Sequence, residues 1–487
     1  MLLIFSYAVQ AVFLLVVVCF ILYALLELRV LGISRQVERH KLTELATHLP
    51  TLANWPRVSV LLPIYNESAV VVRLIDAVCR LDYPTSALEI LVLDDSTDHT
   101  SALAQERVAY YAQRKIPVHY VKRSTNKDYK AGNLLNGIRQ SSGQFYVIFD
   151  ADFVPPEDFL LKTIPYFQDP QLGFLQTGIG YENRDASFLT RFQAKEMGHQ
   201  QYVTVGLSAD GDMASLSGSS CVWRKACVES LGGWNASTIT EDVDLGYRAQ
   251  FGNWKYAYIR DVVSMSVLPE TTSAFRVQRE RWGRGLIHSA FKHARLMFQQ
   301  QMSLMKRLHA IAMMFSSLLL ASIYVLLLLC LPLNYLIDLH NSEIQWVAWL
   351  FFGFVALWGL NNIFAARKGM RAEEQQSILR TLWETYLYVA LFLPMAWYYF
   401  VGGVRALLGI HGDFHRTPKG EHKEKVRRPP IHRILWWGEG FSFSYAAVTL
   451  WAAVQQGNYF LIPIGVTACV GFGMMLVGFW REEHAIK

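Results

Sequence analysis

Two patterns of apolar and polar positions alternate over the first half of the chain. Short apolar runs bounded by polar residues are followed by longer stretches whose apolar positions recur at helical spacing. Val58-Ser59-Val60-Leu61-Leu62, Glu89-Ile90-Leu91-Val92-Leu93, His119-Tyr120-Val121 and Phe145-Tyr146-Val147-Ile148-Phe149 read as strands, and Val70 to Arg80 reads as a helix. From about Arg57 to Trp254 this alternation predicts an α/β domain with a largely parallel sheet.

A third pattern is the long uncharged run. Leu2 to Leu26 carries no charge, exceeds a signal-peptide core and lacks a positive leader, so it is expected to stay as a membrane anchor. Arg29, Arg35, Arg39 and Lys41 follow it, which puts the N-terminus outside and the chain after residue 28 in the cytoplasm. Past Trp282 come apolar runs at about 308–335, 344–366, 380–408, 434–454 and 458–480. The linker Ala365-Ala366-Arg367-Lys368 and the stretch from Arg416 to Arg433 are both basic and should both be cytoplasmic, which a single crossing by 380–408 would forbid. That segment carries Glu384, Pro394, Gly402, Gly403 and Arg405, and is predicted to be interfacial or re-entrant, leaving five spans and the C-terminus inside.

Composition supports this division, since 52% of the residues are hydrophobic, more than a soluble domain needs. The net charge of +6 is small and the basic residues flank apolar runs, so no nucleic-acid partner is expected. The six cysteines are scattered, with no CxxC pair or histidine at zinc spacing, which predicts free thiols and no zinc.

Chemistry concentrates at strand tips. The run Phe145 to Phe149 ends in Asp150-Ala151-Asp152-Phe153, and the second strand ends in Asp94-Asp95-Ser96-Thr97-Asp98. One acid pair alone could close a solvated turn. Two on parallel strands emerge on one sheet edge, where ligands of open α/β sheets bind, and hard oxygen ligands spaced as Asp150 and Asp152 suit Mg²⁺ or Mn²⁺ on a diphosphate. Lys130, in Tyr129-Lys130-Ala131-Gly132-Asn133, can reach an anionic group or simply sit in a turn. Thr240-Glu241-Asp242 reads as a helix start with Thr240 as N-cap. Within Gln278-Arg279-Glu280-Arg281-Trp282-Gly283-Arg284-Gly285, an amide, a guanidinium and an indole at Gln278, Arg281 and Trp282 fall within about one helical turn. That helix could equally lie on the membrane, with its arginines meeting lipid phosphates.

Asp95, Asp150-Ala151-Asp152, Thr240-Glu241-Asp242 and Gln278-Arg279-Glu280-Arg281-Trp282, in this order and followed by membrane helices, resemble the processive polysaccharide synthases of inverting glycosyltransferase family 2, which include cellulose, hyaluronan, chitin and mannan synthases. The wording around Asp94, Lys130 and Asp150 is most similar to the cellulose-synthase-like glucomannan synthases. The resemblance covers about residue 57 to the C-terminus. It implies a GT-A-type α/β domain and an α-helical transmembrane domain with amphipathic interface helices. It further implies that Asp94, Asp95, Lys130, Asp150 and Arg281 bind the nucleotide, Asp150 and Asp152 hold Mg²⁺ or Mn²⁺, and Asp242 is the general base. Ser217, Gly218, Gln278 and Trp282 are implied at the acceptor sugar, and Ser217-Gly218-Ser219-Ser220-Cys221 falls on a small-residue segment where relatives often carry Gly-Thr, with serine in place of threonine. Phe414-His415-Arg416-Thr417-Pro418-Lys419 resembles a gating loop of the form Phe-x-Val-Thr-x-Lys, with Phe414, Thr417 and Lys419 matching and Arg416 in place of Val.

The expected organisation is a transmembrane helix at 1–28, a cytoplasmic linker at 29–56, the catalytic domain at 57–260 and interface helices at 261–307. Two spans at 308–366, an interfacial helix and gating-like loop at 367–433, and two spans with a short tail at 434–487 complete it. The expected activity is polymerisation of a β-linked glucan or (gluco)mannan from UDP-glucose or GDP-mannose, with the growing chain moved across the bilayer and accessory export proteins possible partners. The catalytic domain would be cytoplasmic, at the plasma or inner membrane in a bacterium and at the Golgi in a eukaryote. Lys487 follows the last span closely, so control by a soluble C-terminal regulatory domain is not expected. Two other readings stay open: a non-processive transferase for a lipid acceptor, and a transporter or scaffold with an inactive domain.

Overall fold

The computed structural model describes residues 2–43, 52, 54–336, 353, 378–410 and 429–485. The expected span at 344–366, apart from residue 353, and the gating-like residues Phe414, Thr417 and Lys419 lie outside the described residues. Seven strands form one sheet: β1 (Val58–Ile64), β2 (Leu88–Asp94), β3 (Val118–Lys122), β4 (Phe145–Ile148), β5 (Leu172–Tyr181), β6 (Cys221–Arg224) and β7 (Lys255–Ser266). Their order is β3-β2-β1-β4-β6-β5-β7. The helices around the sheet are α1 (Leu2–Thr43), α2 (Val71–Val78), α3 (Thr100–Ala112), α4 (Tyr129–Gln140), α5 (Phe159–Thr163), α6 (Phe188–Asp210), α7 (Lys225–Ser230) and α8 (Glu241–Phe251). Then come α9 (Thr272–Gln299), α10 (Leu304–Leu336), α11 (Ile378–Leu407), α12 (Ile431–Gln456) and α13 (Leu461–Ala485).

The four strands expected from sequence form at those places and pair in parallel. The runs of β1, β2 and β4 are apolar at successive positions because both faces of the sheet are covered there. Val58, Val60, Leu62, Ile90 and Val92 join one core layer, and Leu61, Leu91 and Leu93 join the other. β6 alone runs against its neighbours, being antiparallel to β4 and to β5, while β7 is parallel to β5. The ends of β1, β2, β4, β5 and β7 and the start of β6 therefore share one edge.

Three membrane-side expectations change. The segment 29–56 is not a separate linker up to residue 43, because α1 continues through it with no proline and packs on α6 and α10. Arg29 ties it to Asp210 at 2.6 Å and Asp212 at 3.3 Å. The segment 380–408, expected to be interfacial or re-entrant, lies in one unbroken helix, α11, packed on α9 and α10. Pro394 leaves the Ala390 carbonyl without a helical donor, and Gly471 of α13 lets that helix close over it. Among the described residues four helical stretches are long and apolar enough to cross a membrane: Tyr7–Arg39, Leu304–Tyr335, Leu379–Leu407 and Leu461–His484. The expected span 434–454 lies in α12, which is not among them, since Gly438, Glu439, Gly440, Ser442, Ser444 and Thr449 dilute its apolar character.

Candidate active site

The shared sheet edge gathers most of the predicted residues. Lys130, in the first turn of α4, donates to Asp150 at 2.6 Å, lies 3.7 Å from Glu241 and donates to the Gly218 carbonyl at 3.2 Å. Gly218 precedes β6, so the reversed direction of that strand brings Ser217-Gly218-Ser219 to this edge. The Asp150 N–H donates to Ser219 Oγ at 2.9 Å, and Ser217 Oγ donates to Gln176 Oε1 at 3.2 Å. A Cβ on Gly218 would fall 2.7 Å from Asp242 Cβ, so glycine is what allows the acid to approach.

Asp242 and Glu241 open α8. Thr240 stands at the N-cap, but its hydroxyl pairs with Ser289 Oγ of α9 at 3.1 Å and makes no cap bond. Burial, then the neighbouring Asp242 charge, raise the Glu241 carboxyl to about 7, with Lys130 acting against the rise. Burial also raises Asp242, while Lys130 and the Val243 N–H pull it down. For Lys130 burial works against the charged form, yet the carboxylates of Asp150, Glu241 and Asp242 outweigh it and its pKa is raised. Burial lowers that of Arg281, which faces Glu241, Asp150 and Asp242. The cluster thus sets two cations against three acids in a half-buried crevice.

Asp152 is buried and accepts a hydrogen bond from Ser266 at the end of β7, and Arg73 donates to its carbonyl at 3.4 Å. Two hard carboxylates at one strand tip fit Mg²⁺ or Mn²⁺, and Asp150 is 37% exposed toward the crevice. Among the described residues no group of three or more His, Cys, Asp or Glu side chains is placed to hold an ion, so substrate oxygens would have to complete its shell.

The pair Asp94 and Asp95 splits. Asp94 is fully buried and accepts from Ser101 and Tyr120 hydroxyls at 2.5 Å and the Ser96 N–H at 2.7 Å. Burial would raise its pKa, but these bonds hold it below the usual carboxylate range. It shapes the turn and offers no surface to a nucleotide, a correction to the expectation that both acids bind it. Asp95 is held in a bidentate pair by Arg123 at 2.7 and 2.6 Å. Arg123 was missed, although its place just after β3, parallel to β2, could have revealed it.

On α9, Gln278 is buried, Trp282 is half-buried against the apolar cluster that includes Phe192, Tyr398 and Tyr399, and Arg281 turns to the acids. Two arginines of the stretch for which lipid contact is the alternative reading, Arg279 and Arg284, are paired within the protein, as is Arg276 before them. Arg276 reaches Glu439 at 2.8 Å, Arg279 reaches Glu196 at 2.5 Å and Arg284 reaches Glu280 at 3.5 Å. Asp244 was also missed: it is buried and receives Arg248 at 2.8 Å, Lys292 at 2.5 Å and His293 at 2.8 Å, locking α8 to α9. Burial opposes its charge, but His293 and Lys292 hold it well below the ordinary range.

A family model described as glycosyltransferase like family 2 matches residues 56–285. A probable glucomannan 4-beta-mannosyltransferase 6 of Oryza sativa subsp. japonica is 37% identical over 241 residues, 48% of this chain and 42% of that protein. The glucomannan 4-beta-mannosyltransferase 2 of Arabidopsis thaliana is 37% identical over 240 residues, 48% of this chain and 45% of that protein. The chain spans roughly half the length of the curated relatives it matches. A mannosyltransferase from Pyrobaculum calidifontis, solved in complex with GDP-Man and Mn2+, shares the fold with a TM-score of 0.54 at 19% identity, over 83% of this chain and all of that one. The matched residues are those that build the sheet, its acidic edge and α9 as far as Gly285, so this GT-A-like domain is similar to glycosyltransferase family 2.

Proposed function

We propose that the chain is a membrane-embedded, processive, inverting glycosyltransferase that extends a β-linked polysaccharide from a nucleotide sugar and moves it across the bilayer. The carrying observation is the juxtaposition of Lys130, Asp150, Glu241, Asp242 and Arg281 in one crevice. α9 lines it and also packs on membrane-length helices. The mannosyltransferase relatives favour a (gluco)mannan made from GDP-mannose over a glucan made from UDP-glucose.

In this reading Asp242 accepts the proton of the acceptor hydroxyl as its oxygen attacks the anomeric carbon. The bond to the nucleoside diphosphate breaks on the opposite face and the anomeric configuration inverts. The raised pKa keeps Asp242 basic enough to take that proton, and partial protonation of Glu241 spares it a second full charge. Lys130 and Arg281 meet the charge of the departing diphosphate. Asp95 with Arg123 forms the nucleoside side of the crevice, Asp150 and Asp152 would hold Mg²⁺ or Mn²⁺, and such an ion neutralises diphosphate charge when bound. Trp282 offers an indole face to the terminal acceptor sugar, with Gln278 behind it.

The test is nucleotide release and product size with GDP-mannose and with UDP-glucose, using the purified full chain. Polymer from GDP-mannose, abolished by Asp242→Asn with donor binding retained, is expected. A single sugar transferred to a lipid would support the non-processive alternative, and no nucleotide release from either donor would remove the enzymatic reading.

A further inference from the structure

Arg279 stands at the second position of Gln278-Arg279-Glu280-Arg281-Trp282, and nothing in the proposed chemistry uses it. Its side chain is only 1% exposed. Burying an arginine is costly unless charge and hydrogen bonds answer it. Here Glu196 of α6 answers with both oxygens, at 2.7 Å and 2.5 Å. Tyr399 of α11 stands close enough to the same guanidinium to interact with it electrostatically. The fixed plane then lies against two aromatic rings, with its central carbon 4.6 Å from the Trp282 centroid and 4.9 Å from that of Phe275.

Helix packing leaves this group little room to move. A Cβ on Gly283 would sit 2.8 Å from Tyr399 Cα, and one on Gly402 would sit 2.6 Å from the Glu280 carbonyl. α9 and α11 therefore meet backbone to backbone on either side of Trp282. An apolar residue would fill the volume of Arg279, but it would offer no cation to the indole face and no anchor on α6.

We infer that Arg279 and Glu196 are positioning residues for Trp282: the ion pair anchors the guanidinium, the guanidinium fixes the indole, and the pair thereby sets how turnover divides between transfer to a sugar and transfer to water. This rests on the reading of Trp282 as the acceptor platform. Attack by water needs no platform, so donor hydrolysis should be indifferent to the pair.

The test uses the full chain, measuring nucleoside diphosphate released and polymer formed from one donor, for Arg279→Lys and Glu196→Gln, each alone and combined with Trp282→Ala. Each single variant releases the guanidinium plane from the indole, one by removing the plane and the other by removing its anchor, and polymer per nucleotide released should fall about tenfold, at unchanged donor KM. In the Trp282→Ala background neither substitution should lower the ratio further. Continued loss in that background would overturn the inference, because a merely structural pair acts whether or not the indole is present. An unchanged ratio in the single variants, beside a lowered ratio in Trp282→Ala, would also overturn it while sparing the platform reading. If Trp282→Ala itself leaves the ratio unmoved, the platform reading fails first. Should Arg279→Lys not fold, the nearly isosteric Glu196→Gln carries the same comparisons.

Discussion

Replacing Lys130 by glutamine removes a cation that lies within 4 Å of both Asp150 and Glu241, at 2.6 and 3.7 Å. Lys130 lowers the pKa of Glu241 and Asp242, so its loss must raise both. At about 4 Å a unit charge contributes roughly 1 kcal/mol in water and roughly 4 kcal/mol at the effective dielectric of a partly covered site. Lys130 is 23% exposed, which puts the crevice between these limits. One pKa unit is about 1.4 kcal/mol, so the expected rise is about one to two units. A base must be deprotonated to act, and activity falls as pH drops through its pKa, so the acid limb of the rate profile moves upward by that amount. The assay is initial nucleoside diphosphate release from saturating donor across the neutral range, for wild type, Lys130→Gln and Lys130→Arg. Lys130→Arg should keep the limb near its wild-type place. Loss of rate at every pH with the limb unmoved within about 0.3 units would refute the electrostatic link and leave Lys130 only a diphosphate contact.

Asp150→Asn should weaken donor affinity by about tenfold or more, with a raised requirement for Mn²⁺, and EDTA should abolish wild-type turnover; a full rate after chelation would dismiss the ion. Gly218→Ala should cut turnover at least about tenfold with donor binding kept, since the new Cβ lands 2.7 Å from Asp242 Cβ and displaces the acid. Donor titration beside turnover checks it, and equal losses in both would place the damage elsewhere. Asp244→Asn should cost about 3–5 kcal/mol of stability, read as a lower Tm in detergent, because Arg248, Lys292 and His293 lose a fully buried partner. The Asp244 pKa is depressed on folding, so its stabilisation is complete above about pH 4, the unfolded value, and is lost as pH falls through the lower folded one. A Tm that already drops between neutral pH and about pH 5 in wild type but not in Asp244→Asn would contradict this.

The sequence by itself determined what depends on neighbours along the chain. The continuous apolar runs at Val58, Leu88 and Phe145 had to become strands covered on both faces, and the acids that close two of them had to stand at the strand tips. The order of motifs was likewise legible, since it is written in single residues. Only the tertiary structure decided direction and partner. β6 runs against its neighbours, and that reversal carries Ser217, Gly218 and Ser219 to the acidic edge, which no local pattern encodes. Asp94 and Asp95 are adjacent and chemically identical, yet one is sealed among hydroxyls from α3 and β3 and the other meets Arg123. The arginines of α9 read locally as a lipid-facing basic helix, but the acids that pair Arg279 and Arg276 arrive from α6 and α12, 83 and 163 residues away in the chain. A buried charge must find a countercharge wherever the fold can bring one, and sequence spacing carries no record of that search.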